Sequence, residues 1–200
     1  MASTHGLDAI LFNMSLIVEQ VRRRLSARSP RRGPSHLRAA AVLVPIVVTS
    51  ELGGESLLLT RRSKKMRRQP GDIAFPGGAM DPDDASPLAT ALRESHEEVG
   101  LAADDVTVLG QMDERGTVTG FRVTPFVASL KGPYPFRANH EVEALLQVPI
   151  AALCDPGVLE VETRRFRDGS LRDVYHYHVA GNDIWGITGQ LIKEFLELIQ

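Results

Sequence analysis

The stretch that decides the reading runs from Gly71 to Leu101, GDIAFPGGAMDPDDASPLATALRESHEEVGL. At about 100° per residue, a helix over Leu88 to Val99 puts Leu88, Ala91, Leu92, Ser95 and Val99 on one arc and Glu94, Glu97 and Glu98 on the adjoining one. Ser86 followed by Pro87 supplies a cap and a first helical position, and Gly100 a C-terminal stop. Like charges at these spacings cost an exposed helix roughly 0.2–0.5 kcal/mol per pair, and more where a cleft excludes water. A hard divalent cation reverses the sign of that cost. Mg²⁺ takes oxygen ligands, keeps several waters and is commonly held by one or two carboxylates together with substrate phosphates. Glu94 and Glu98 stand one turn apart and suit such ligation, Glu97 lies beside them, and Arg93 precedes Glu97 by one turn and can orient it. A solvated acidic face with an ion pair along the helix explains the same residues, so at this point both readings stand.

Working outward, 200 residues suffice for one domain with a substantial core and an N-terminal extension. With 43% hydrophobic and 24% charged residues the chain is an ordinary globular one. The net charge of −2 conceals two basic runs, one around Arg22 to Arg32 and one from Arg61 to Arg68. The one cysteine, Cys154, rules out an intrachain disulfide framework and a cysteine-rich zinc site, and suits a reducing cytoplasm. Its apolar surroundings predict a buried structural thiol. No stretch approaches the length of a membrane span, and the apolar segment near the N-terminus lacks the basic flank of a secretory signal.

Residues Leu7 to Leu25 have apolar positions at helical spacing and predict an amphipathic helix docked on the domain or on a second subunit, which leaves a homodimer open. SARSPRRGPSH then reads as a solvated linker, so the division expected is 1–37 for helix and linker and 38–200 for the catalytic domain. No aromatic residues interleave with its arginines, which argues against nucleic acid. AAAVLVPIVVTS and LLLTRR form a predicted hairpin, followed by a basic loop that leads into Gly77 and Gly78. VTVLGQMDE and FRVTPFVASL read as strands, NHEVEALLQVPIAAL as a short helix limited by Pro149, and LEVETRRF with DVYHYHVA as a hairpin about an Asp-Gly turn. A terminal helix carries Leu191, Ile192, Phe195, Leu196 and Ile199. His96 is expected at the surface and Trp185 in the core or an interface. Strands, helix, strands, helix give an α+β sheet covered by helices.

RESHEEVGL resembles the signature of the Nudix hydrolases, with Ser95 where the family usually has a larger apolar residue and Asp84 as the nearest counterpart of an upstream Glu. One branch, the coenzyme A pyrophosphatases, carries a second signature just before it. That signature is matched here at every spacing by Leu58-Leu59-Thr60, Arg62-Ser63, Arg67, Gly71 and Phe75-Pro76-Gly77-Gly78. The resemblance implies a Nudix α/β/α sandwich with a mixed β-sheet, and a Mg²⁺- or Mn²⁺-dependent pyrophosphatase acting on a small-molecule nucleotide. The substrate implied is coenzyme A or an acyl or oxidised form of it; the sequence itself points to no nucleic acid or membrane partner.

Carried onto this chain, Glu94 and Glu98 are the expected principal metal ligands and Glu97 a further ligand or general base. Glu141, from a separate segment, is another candidate base or ligand; a helix N-terminal carboxylate favoured by the dipole explains it equally. Arg62 and Arg67 are expected on substrate phosphate, since guanidinium forks match phosphate oxygens, and Gly77 and Gly78 beside them. Another nucleoside diphosphate substrate such as ADP-ribose, or a non-catalytic ligand sensor, remains an alternative.

Overall fold

A computed structural model of the chain describes residues 15–49, 54–66, 69–166 and 169–200. Strand β1 (Arg38–Thr49) is its axis. On one side it pairs in parallel with β7 (Phe121–Lys131), from Arg38 opposite Phe121 to Val48 opposite Lys131. On its other side two partners share one edge. The half from Ile46 to Thr49 pairs antiparallel with β2 (Gly54–Arg62), and the half from Ala40 to Val42 with β4 (Gly77–Ala79). Beyond Leu57 strand β2 splays away from β1 and pairs on its inner edge with β3 (Ile73–Ala74). The segment from β3 to β4 therefore wedges into the fork between β1 and β2, and this fork positions the site.

Pro45 fits the same geometry. A proline in a central strand removes a ladder donor. Leu43, two residues earlier and so pointing the same way, donates its N–H to Pro76 O at 2.9 Å, which puts the missing donor of Pro45 in the fork between the start of β4 and Leu57 of β2.

Strands β5 (Thr107–Gln111) and β6 (Arg115–Gly116) pair with β7, and β8 (Val142–Pro149) pairs with the outer edge of β2. This mixed sheet is buried on both faces, as strands with helices on either side are. One face of Ala41, Leu43, Val47, Leu58, Phe126 and Ala128 meets Ala91 and Val99, which belong to helix α2 (Pro87–Val99), α1 being Leu16–Ser26. The other face, with Val44, Ile46, Leu57 and Leu59, meets α1 and α4 (Gly186–Glu197), α3 being the single turn Ile150–Leu153. A second sheet of β9 (Leu159–Arg165), β10 (Leu171–Val179) and β11 (Asn182–Ile184) packs under α4. The α+β sandwich expected from the sequence is present.

Several expectations are corrected. Val142 to Pro149 is a strand, because its backbone completes the outer edge of β2, and only Ile150–Leu153 is helical. Glu141 therefore precedes a strand and gains nothing from a helix dipole. Helix α1 starts at Leu16, where the Ser15 hydroxyl accepts the Val18 N–H at 3.1 Å; the expected turns from Leu7 to Met14 lie outside the described residues. Val18, Val21 and Leu25 of α1 dock on Leu109 and Met112 of the same chain.

The linker after α1 is a strap held to the domain. The buried Asp113 carboxylate takes Arg28 at 2.6 Å, the Arg31 guanidinium at 2.8 Å and the Arg31 N–H at 2.9 Å, while Glu114 accepts the Gly33 N–H at 2.8 Å. Cys154 is exposed, since the short turn that carries it ends at Leu153 and turns its thiol outward. Trp185 is 41% exposed and stacks on His176 with ring centroids 5.7 Å apart, so it belongs to the surface of the second sheet and outside the core. No helix among the described residues is long and apolar enough to cross a membrane.

Candidate active site

Helix α2 forms where its punctuation requires. The Ser86 hydroxyl accepts the Ala89 N–H at 3.1 Å, Pro87 takes the first turn, and Gly100 closes the helix in the left-handed region at φ 70°. Ala91, Ser95 and Val99 are buried against the sheet, and His96 and Glu97 face solvent. Ser95 can replace a larger apolar residue because its hydroxyl donates back to the Ala91 carbonyl at 2.7 Å, leaving no orphaned polar group.

The acidic arc opens onto a cleft of about 560 Å³. Its walls include Gly77, Gly78 and Asp81 from the fork, Glu94, Glu97 and Glu98 from α2, Arg62 from the end of β2, and Asn139, His140 and Glu141 from the approach to β8. Arg93 organises this wall. Its guanidinium grips Asp84 at 3.0 and 2.9 Å, and reaches Glu94 at 2.9 Å and Glu97 at 3.3 Å. The bidentate hydrogen bonding from Arg93 holds the Asp84 carboxyl well below the usual carboxylate range, helped by the Asp81 N–H and against partial desolvation. Asp84 thus anchors Arg93 from the turn before α2.

Both glycines of the Gly77-Gly78 pair relieve a close approach, to backbone in one case and to a side chain in the other. Gly77 has φ 152°, and a Cβ there would stand 2.6 Å from Val42 Cα in β1. A Cβ on Gly78 would stand 2.6 Å from the Glu94 carboxylate carbon. The Gly77 N–H donates to Glu98 Oε2 at 3.1 Å, so the fork backbone holds one carboxylate while the bare α-carbon of Gly78 makes room for another.

Electrostatically the cleft is loaded. Burial pushes the Glu98 carboxyl up to about 7; the Gly77 N–H and Arg62 oppose the shift, and Glu94 and Glu141 add to it. Glu94 is raised too, by burial first, with its Arg93 hydrogen bond opposing and Glu97 and Asp81 adding. Such acids, crowded and only partly neutralised, are the donor set a hard divalent cation would relieve. Among the described residues no three of them converge into a ready-made cage. That suits an ion bound through one or two carboxylates and completed by water and substrate phosphate. Arg93 is occupied by carboxylates. Among the described residues Arg62 makes no ion pair, and its Nε is buried without a hydrogen-bond partner.

The NUDIX domain matches residues 37–169. The chain belongs to the Nudix hydrolase family. This Nudix hydrolase is 36% identical over 192 residues to "Uncharacterized Nudix hydrolase NudL" of Shigella flexneri, covering 94% of this chain and 92% of that one. It is 37% identical over 166 residues to the protein of the same description in Yersinia pestis (strain Pestoides F), covering 81% and 80%. Among solved structures it resembles RenU, a Nudix hydrolase from M. smegmatis, with TM-score 0.50 and 28% identity over 59% of this chain and 74% of that one. The Nudix hydrolase from Alicyclobacillus acidocaldarius, at TM-score 0.51 and 21% identity over 82% and 93%, shares the fold.

Of the site residues read from the sequence, the Nudix cleft gathers Arg62, Gly77, Gly78, Arg93, Glu94, Glu97, Glu98 and Glu141, whereas Arg67 lies outside the described residues. Arg61 turns away from the cleft and hydrogen-bonds Asn182 of β11. Asp81, Asn139 and His140 were not singled out by sequence. The DPDD turn could have pointed to Asp81, and the Asn-x-Glu spacing to Asn139, because Asn side chains cap backbone N–H groups two residues on. Nothing in the sequence signals His140. A smaller cavity of about 220 Å³ lies between the strap and α4, but its Arg28 and Arg31 are paired with Asp113 and its Arg115 with Glu194.

Proposed function

We propose that this Nudix pyrophosphohydrolase cleaves the diphosphate of coenzyme A, or of an acyl or oxidised derivative, to 3′,5′-adenosine bisphosphate and 4′-phosphopantetheine or its derivative. The observation that carries the reading is that Arg62, Gly77 and Gly78 of the upstream signature line the same cleft as the carboxylates of RESHEEVG. The spacing of that upstream signature is what narrows the substrate from nucleoside diphosphates in general.

Glu94 and Glu98 are the residues to hold a divalent cation, with Glu97 at the rim as a third donor. When bound, Mg²⁺ or Mn²⁺ neutralises charge on the phosphate oxygens and favours ionisation of water. Arg62 supplies a guanidinium for a diphosphate oxygen, and the Gly77-Gly78 backbone lets the phosphates approach closely. Arg93, saturated by Asp84, Glu94 and Glu97, keeps the carboxylates in place. Water attacks phosphorus: the new P–O bond forms as the bridging P–O bond breaks, the water proton passes to Glu141 or Glu97, and the leaving phosphate departs with the bridging oxygen.

The test is hydrolysis of a panel by the purified protein in Mg²⁺ or Mn²⁺, comparing coenzyme A, ADP-ribose and a dinucleoside polyphosphate. Preference for coenzyme A supports the proposal; a clear preference for ADP-ribose defeats the substrate assignment. Binding without hydrolysis of any member would make the protein a ligand sensor.

A further inference from the structure

We propose that Asn139 is a positioning residue for Glu141 and locks it to the end of the carboxylate helix. This rests on the reading of Glu141 as a working carboxylate of the cleft. The last carbonyls of a helix need partners from outside it. In α2 the Gly100 N–H serves His96 and the Leu101 N–H serves Ser95, while the last two carbonyls are served by a distant segment: the Arg137 N–H donates to Val99 O at 2.9 Å and the Asn139 N–H to Glu98 O at 3.0 Å. The segment leading to β8 is thereby attached to the residue that also contributes the most deeply buried carboxylate of the cleft.

From that attachment Asn139 reaches forward. Its Oδ1 accepts the Glu141 N–H at 2.8 Å, and its carbonyl accepts the Val142 N–H at 3.3 Å. Glu141 is held from its other flank as well, since its carbonyl accepts the Ser63 N–H at 2.7 Å, where the basic loop begins. The main chain of Glu141 is thus clamped between Asn139 and Ser63, while its carboxylate makes no hydrogen bond or ion pair among the described residues. A fixed backbone under a free carboxylate is what a group that must meet a water or a metal in one place requires. An Asx turn serving only to start β8 would have the same hydrogen bonds, and the two roles separate in kinetics.

The experiment compares the full chain with Asn139→Ala, Asn139→Asp, Glu141→Gln and the double variant Asn139→Ala/Glu141→Gln, assayed with coenzyme A and Mg²⁺. Loss of a partner that orients a metal-site side chain directly costs about 10–100-fold; Asn139 acts one step back, through the Glu141 main chain, so Asn139→Ala should lower kcat by about tenfold, the low end of that range, with KM little changed. Asn139→Asp, which keeps the acceptor, should restore most of it. The loss should be absent in the Glu141→Gln background, because the two act as one unit. In the metal-free protein, hydrogen exchange at the Glu141 amide should quicken in Asn139→Ala and slow again in Asn139→Asp.

Normal turnover of Glu141→Gln would overturn the reading of Glu141 itself. An impaired Glu141→Gln beside a normal Asn139→Ala, or equal losses from Asn139→Ala in both backgrounds, would overturn the role of Asn139 alone. If Asn139→Ala fails to fold, Asn139→Ser, a weaker acceptor at the same place, should give an intermediate kcat and intermediate exchange, and wild-type values there would overturn the proposal.

Discussion

Replacing Glu98 by Gln is expected to abolish metal-dependent turnover and, in the metal-free protein, to make the fold more stable. The carboxyl is 5% exposed and burial raises it from 4.5 to about 7. Between those values the folded chain holds a proton that the unfolded chain has lost, so stability falls as pH rises through that window. The cost is complete above about 7 and absent well below 4.5. At about 1.4 kcal/mol per pKa unit, the charged group costs about 3 kcal/mol at pH 8 and less than about 1 kcal/mol at pH 5. Glutamine removes the charge while its carbonyl can still accept the Gly77 N–H. Urea unfolding of chelator-treated wild type and Glu98→Gln at the two pH values measures the difference directly. For a chain of this size the stabilisation corresponds to a Tm increase of about 6–12 °C at pH 8. Added Mn²⁺ should stabilise wild type and leave the variant nearly unchanged. Equal stabilisation at pH 5 and pH 8, or a destabilised variant at pH 8, would refute the assignment of the cost to a buried charge.

Further outcomes follow from the same structure. At Asp113, burial is outweighed by the Arg31 N–H and the Arg31 and Arg28 guanidiniums, so the carboxyl lies at about 2. Because the Arg31 side chain is 81% exposed, solvent screening limits the contribution to about 1–2 kcal/mol. Asp113→Asn should show that loss in urea unfolding above the ordinary carboxylate value, shrinking as pH falls from there through about 2. Gly78→Ala should push the Glu94 carboxylate aside and lower kcat while Tm changes little, whereas Gly77→Ala, meeting β1 backbone, should lower Tm. Asp84→Ala frees Arg93 to collapse onto Glu94 and should weaken Mn²⁺ binding by about 10–100-fold, as loss of a supporting contact does, measurable by calorimetry.

Helix α2 was legible because its cap, stop and two arcs are all local, and local signals suffice for a helix whose buried face is a repeating stripe. The same locality explains what was missed. Val142 to Pro149 contains good helix formers and no clean alternation, and only the open edge of β2, far away in sequence, makes it a strand. The strap looked like a solvated linker because Arg28 and Arg31 give no sign of Asp113, which lies beyond the whole carboxylate helix. Within the cleft, the adjacency of Glu94, Glu97 and Glu98 could be read from helical spacing. The arrival of Glu141 depends on hydrogen bonds from Ser63 and Asn139 that no period encodes.

The parallel pairing of β1 with β7 has a consequence for how the chain is made. Arg38 emerges about eighty residues before its register partner Phe121, which at ordinary synthesis rates of about 5–20 residues per second is roughly 4–16 s. Throughout that interval one flank of AAAVLVPIVVT has no partner, and the hairpin with β2 is the shelter at hand. The fork segment and α2 are translated inside the gap, so the carboxylates of α2 exist before the sheet is complete. A nascent chain is therefore most exposed to aggregation just before β7 arrives, and substitutions that weaken the β1–β2 hairpin should reduce soluble yield more than they reduce the stability of the finished protein.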